Sequence, residues 1–114
     1  MSDTESAPAQ ARKMTGAELI AAERQRQIEV EGYDAAHDDS SHGEYAPGGP
    51  ALIRAAHSYL LRGTRLTAGF TGAPPYWPWD AEYWKPSTPI RNLVKAGALI
   101  AAEIDRRQRG GETE

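Results

Sequence analysis

The sequence predicts a mainly α-helical fold: a three-helix domain carrying one long loop rich in aromatic residues and proline. Two pairs of helix-end signals and one apolar stripe carry that expectation. Thr15 and Glu18 have the spacing of a capping box, in which hydroxyl and carboxylate satisfy each other's free backbone amides. Thr88, Pro89 and Gly110 mark a second helix start and stop. Between them Ile90, Leu93, Gly97, Ile100 and Ile104 recur at alternating spacings of three and four, which draws one continuous line along a helix.

The elements follow in chain order. Residues 1–14 lack apolar periodicity and are expected to form a disordered arm. The first helix starts at Thr15, runs through Leu19, Ile20, Ala22 and Ile28, and should stop at Gly32. The second is expected from Pro50, as first helical residue, through Leu52, Ile53, Ala56, Tyr59 and Leu60 to Gly63. The third spans Pro89 to Arg109. Val94, Ala98 and Ala101 widen its stripe, and the small Gly97 and Ala101 would let another helix approach closely. Residues 110–114 form a flexible tail, leaving 15–109 as one domain. A single core of that size is thin. An oligomer built on the third helix is therefore expected.

The 114 residues carry a formal net charge of −3, which argues against general affinity for long nucleic acid. Cysteine is absent, so neither disulfides nor thiolate metal sites are available. No apolar run approaches the roughly 20 residues of a membrane span, and the N-terminus shows no apolar signal-peptide core. A cytoplasmic location is the expectation.

Two connections are long, and long loops in compact domains tend to be functional. Residues 64–87 hold Phe70, Tyr76, Trp77, Trp79, Tyr83 and Trp84 among prolines that stiffen the backbone. These rings can lie over the helices as a lid that fills the thin core. They can also form a stacking wall for a base, and both roles fit different rings. Residues 33–49 are polar and contain His37, Asp38, Asp39, His42 and Glu44. With Glu23 these could bind a divalent ion, but the spacing serves loop capping equally well, and no established metal signature is present. No cofactor is expected. His57, beside apolar positions, reads as a packed histidine.

Arginine forms another set: Arg24 and Arg26 on the first helix, Arg91 at the start of the third, and Arg106, Arg107 and Arg109 at its end. A solvated face explains them, and the last three also favour the helix C-terminal dipole. A phosphate clamp is the alternative, since guanidinium pairs bidentately with phosphate oxygens. The start of the third helix, near Thr88 and Arg91, is a further candidate anion site.

The strings Glu23-Arg24-Gln25-Arg26-Gln27, Glu31-Gly32-Tyr33, His37-Asp38-Asp39 and Gly43-Glu44 resemble the first half of a group of small phage proteins. Trp77-Pro78-Trp79-Asp80, Trp84-Lys85-Pro86 and the run from Arg91 to Ile100 resemble the second half. Together they cover residues 18–109, and the best-understood proteins they resemble are the anti-Thoeris sponges of phages.

That resemblance implies a protein without a catalytic step. It would sequester the cyclic ADP-ribose isomer made by a bacterial Toll/interleukin-receptor-domain enzyme, in the host cytosol during infection. It further implies helical dimers that can assemble into hexamers, some of which hold cyclic trinucleotides, the signals of CBASS-type immunity, at separate sites. Carried over by position, Trp79, Tyr83, Trp84, Asn92, Arg106 and Arg109 would face the ADP-ribose ligand. Arg24, Thr88 and Arg91 would serve a second nucleotide site. The sequence departs from the pattern at Pro47-Gly48-Gly49-Pro50, which would shorten the second helix.

Arg106 and Arg109 lie about 21 to 26 Å beyond Asn92 along one helix, so a pocket using all three would have to be shared between subunits. The competing expectation is a MazG-like, metal-dependent nucleotide pyrophosphohydrolase. That chemistry pairs Glu-x-x-Glu with Glu-x-x-Asp carboxylates on adjacent helices. Here Glu23, Glu29 and Glu31, and Glu103 and Asp105, do not have that spacing. A plain interaction protein that docks a partner on the aromatic loop is a third class.

Overall fold

The computed structural model describes residues 13–40, 50–64 and 72–114. Among the described residues there are four α-helices where three were expected: α1 (Gly16–Glu29), α2 (Ala35–Ser40), α3 (Ala51–Ser58) and α4 (Pro89–Arg109). A π-helical turn, Tyr59–Gly63, extends α3, and a 3-10 turn, Ala81–Tyr83, interrupts the aromatic loop. Most of the expected arm, and His42, Glu44, Pro47 and Phe70, lie outside the described residues.

The caps work as read, although α1 ends at Glu29, three residues before the expected stop at Gly32. The hydroxyl of Thr15 accepts the Glu18 amide at 3.1 Å, while the Glu18 carboxylate accepts the Thr15 amide at 2.8 Å. Gly32 takes a positive φ of 79°, which an L side chain rarely adopts. Thr88 caps α4 through the Arg91 amide, with Pro89 in the first turn and Gly110 at the end. The additional helix, α2, falls in a segment expected to be a polar connection. Asp34 starts it by accepting the His37 amide at 2.9 Å, a side-chain cap of the ordinary kind. Six residues are too few to show helical periodicity. Pro50 stands one place earlier than expected, as the residue before α3 whose carbonyl accepts the Arg54 amide.

α4 is the spine, with α1, α2, α3 and the π turn all packed on it. Its inward face is distinct from the apolar stripe, which was expected to serve an interface between copies. Asn92, Val94, Ala96, Ala98, Leu99, Ala102 and Glu103 are buried, whereas Ile90, Leu93, Ile100 and Ile104 remain 40–67% exposed. The two faces lie about half a turn apart at 3.6 residues per turn. α1 also differs from expectation. Leu19, Ile20 and Ile28 are only half-buried and Ala22 is exposed, while Glu23 and Gln27 are buried.

Because three of the seven inward residues of α4 are alanine, rings supply much of the core volume. Tyr33, Leu52, Ala55, Ala56, Tyr59, Trp77, Ala96, Leu99 and Ala102 form one cluster, with Trp79 and Trp84 packed against it. Tyr59 meets Trp77 edge-on at 5.6 Å and Trp84 at 4.6 Å, favourable geometries for aromatic pairs. His57, expected to be packed, is exposed and stacks on Tyr76 at 5.1 Å.

Candidate functional site

Two segments far apart in sequence build an open cleft of about 340 Å³. Glu31, Tyr33 and His37 come from the turn after α1 and from α2; Pro78, Trp79, Asp80 and Tyr83 come from the aromatic loop. The volume falls at the lower end of the roughly 300–1,000 Å³ typical of small-molecule sites.

The walls are aromatic and mutually supported. Tyr33 and His37, one helical turn apart, stack with centroids 4.8 Å apart and planes 21° apart. Trp79 leans on both, at 4.8 Å from Tyr33 and 5.3 Å from His37. Trp77 braces Trp79 edge-on at 5.3 Å and is itself fixed by donating its indole N–H to the Asp80 carbonyl at 3.1 Å. Burial pushes the Tyr33 hydroxyl well above its ordinary range, so it stays protonated.

The polar groups of the lining are acceptors rather than cations. Glu31 is nearly buried and ion-paired, at 3.3 Å to Arg26 and 3.1 Å to Lys85. The half-exposed Lys85 thus stands at the cleft margin, and the Tyr59 hydroxyl accepts its backbone amide at 3.1 Å. His37 Nδ1 lies 2.9 Å from Asp38 Oδ1. Asp38 is fully buried. Burial raises its carboxyl above the ordinary value, against the lowering influence of His37, Arg24 and Arg109.

Arg24 ties this corner together. It donates to the Tyr33 carbonyl at 3.2 Å and lies 3.8 Å from Asp38 and 3.6 Å from Asp105. One side chain thereby links α1, α2 and α4.

The sequence-selected residues divide sharply. Trp79 and Tyr83 line the cleft. Trp84 does not; it packs on Tyr59 and Trp77 as part of the core lid. Asn92 is fully buried, and its amide is committed to Ser87: it accepts the Ser87 N–H at 2.7 Å and donates to the Ser87 carbonyl at 3.1 Å. It presents no surface to a ligand. Arg106 and Arg109 line a separate depression with Asp39 and Gly110. There Arg109 pairs with Asp39 at 2.9 Å and Arg106 with Glu103 at 2.8 Å.

The proposed second set does not come together. Arg24 reaches Asp105, whereas Thr88 lies 17 residues earlier on α4, about 25 Å away. Arg91 pairs with the buried Glu23.

Tyr33 and Glu31 were not among the expected lining residues, and His37 was expected as a metal ligand or a loop cap. The Tyr33–His37 interval of four was a readable signal, but only once α2 is known to start at Asp34. Among the described residues, no group of three His, Asp or Glu side chains is placed to hold a metal ion. No described helix is long and apolar enough to cross a membrane. Comparison with protein families, curated proteins and solved structures returns no match.

Proposed function

We propose that this chain is a non-catalytic binding protein that sequesters a cyclic nucleotide signal of the cyclic ADP-ribose type, acting as a phage counter-defence sponge in the host cytosol. The aromatic cleft of Tyr33, His37, Trp79 and Tyr83 carries the reading. Rings prearranged by their neighbours take a flat base with little loss of entropy, and stacking on such rings tolerates any π-face. The cleft holds a base and part of a sugar rather than a whole dinucleotide. The pyrophosphate would lie outside, where Lys85 stands at the margin. The resemblance of the motif strings to those of anti-Thoeris sponges is the other support, and cyclic trinucleotides are a second candidate ligand class.

The protein works as a homo-oligomer in this reading, with a second copy seated on α4. The exposed Ile90, Leu93, Ile100 and Ile104 motivate it, because a contiguous exposed apolar stripe marks an interaction surface. Tyr33 and Trp79 pack on the opposite, buried side of α4, so pairing through the stripe leaves the cleft open.

The test is incubation with a panel of cyclic ADP-ribose isomers and cyclic trinucleotides, then washing, heat denaturation and analysis of the released material. Release of an intact cyclic nucleotide is expected. A cleaved product formed with magnesium would favour the pyrophosphohydrolase instead, and release of nothing would overturn the proposal.

A further inference from the structure

His37 occupies an unusual position in the cleft. One face of its imidazole is covered by Tyr33, and Trp79 leans against it. One edge, bearing Nδ1, is turned to the fully buried Asp38. About a quarter of the side chain is exposed. The covered face and the Asp38 edge leave the opposite edge, bearing Nε2, as the polar part open to the cleft. Among the described residues Nε2 has no hydrogen-bond partner.

The proton on the ring follows from its neighbour. A carboxylate only accepts, so Asp38 takes the Nδ1–H, and in that tautomer Nε2 is the acceptor. Arg24 lies 3.8 Å from the other Asp38 oxygen, which is buried with no hydrogen-bond partner among the described residues and faces that cationic charge. Glu31 and Asp80 add further acceptors; the described lining residues include no Lys or Arg, and the Tyr33 and Tyr83 hydroxyls are their donors.

We infer that His37 is the specificity-determining residue of the cleft: its Nε2 accepts a hydrogen from the exocyclic amine of a planar heteroaromatic ligand, and Asp38 is the positioning residue that fixes the acceptor. The inference rests on the cleft being a base-binding site, and it names which bases are taken. A 6-aminopurine offers the N–H at its edge. The deaminated ring, with a carbonyl there, sets acceptor against acceptor. Sites built around a specific hydrogen bond reject mismatched analogues because a buried polar group is then left unpaired.

AMP and IMP are the probes, titrated to millimolar concentration against the full chain by calorimetry and tryptophan fluorescence. AMP should bind at least roughly tenfold more tightly than IMP. His37→Phe keeps a stacking ring without the acceptor and should bring the two affinities together. Asp38→Asn goes further. Arg24 attracts the amide oxygen, which turns the amide NH₂ toward Nδ1, so the proton moves to Nε2 and the preference should reverse toward IMP. A purely structural role for Asp38 would weaken both probes alike.

Equal binding of AMP and IMP by the unaltered protein overturns the inference and leaves the base-binding reading standing. AMP preference that persists in His37→Phe also overturns it. Failure of AMP to bind at all overturns it as well, whereas the sponge reading is decided separately by retention of cyclic nucleotides.

Discussion

Ile20 of α1 rests on the bare Cα of Gly97 in α4: a Cβ built there would stand 2.6 Å from Ile20 Cδ1 and 2.9 Å from its Cγ1. The small residue therefore serves a close helix crossing within the chain. Alanine at this position gains about 1 kcal/mol of helix propensity over glycine, and the crowding at Ile20 offsets it. Gly97→Ala should leave stability within about 1 kcal/mol of the original, while Gly97→Leu should cost about 1–3 kcal/mol through overpacking. With Ile20→Ala already present, Gly97→Ala should become stabilising. Denaturant titration of the four-member cycle checks the coupling.

Asn92→Ala removes both hydrogen bonds to Ser87 from a fully buried site. The expected loss is about 1–3 kcal/mol, since the Ser87 backbone groups lose their partners. Thermal unfolding measures it. Asn92→Trp should prevent folding rather than block a pocket, because the side chain has no free space around it.

The cleft and the lid should separate by mutation. Trp79→Ala should abolish nucleotide binding, and Trp84→Ala should mainly lower stability, because Trp84 packs on Tyr59 and Trp77 outside the cleft. Calorimetry and denaturant titration on both variants distinguish the two. Equal loss of binding in folded samples of each would merge the roles.

Acid stability should follow two glutamates. Burial pushes Glu23 up, but hydrogen bonds from Arg26 and the charges of Arg26 and Arg91 outweigh it and hold the carboxyl below its ordinary value of 4.5. Glu103 is lowered in the same way by Arg106 and Arg107 against its own burial. A depressed folded value means stabilisation that is present above the unfolded value and lost as pH falls through the folded one. Asp38, raised by burial, has the opposite sign. Glu23→Gln should cost about 1.5–3 kcal/mol near neutral pH. The gap to the original protein should narrow below pH 4.5, as read by denaturation at a series of pH values.

Ile100→Asp with Ile104→Asp should dissociate the oligomer while leaving the helical content unchanged, since both side chains are exposed in the single chain. Sedimentation before and after the change is the measurement. An unaltered protein that sediments as a monomer at micromolar concentration would remove the proposed self-association.

Helix ends were legible because caps are local: Thr15 with Glu18, and Thr88 with Arg91, act within three residues. The inward face of α4 was not. The helix carries two apolar faces, and the larger side chains lie on the outer one. Ala96 and Ala102 attract little notice in a sequence, yet they admit Tyr59 and Trp77, which come from other segments. The burial of Glu23 was not legible because its partner Arg91 is 68 positions away. Half of the cleft was foreseen in Trp79 and Tyr83. Tyr33 and His37 were not joined to them because their placement depends on a six-residue helix packed against a distant loop.

The exchange of two hydrogen bonds between Ser87 and Asn92 joins the end of the aromatic loop to the first turn of α4. Neither piece can open alone without stranding polar groups of the other, so the two behave as one cooperative unit. Their amides should exchange with solvent at a common rate, slower in the presence of a bound nucleotide. The cleft would then be lost by sub-global opening of this unit, well before α1 and the rest of the spine unravel.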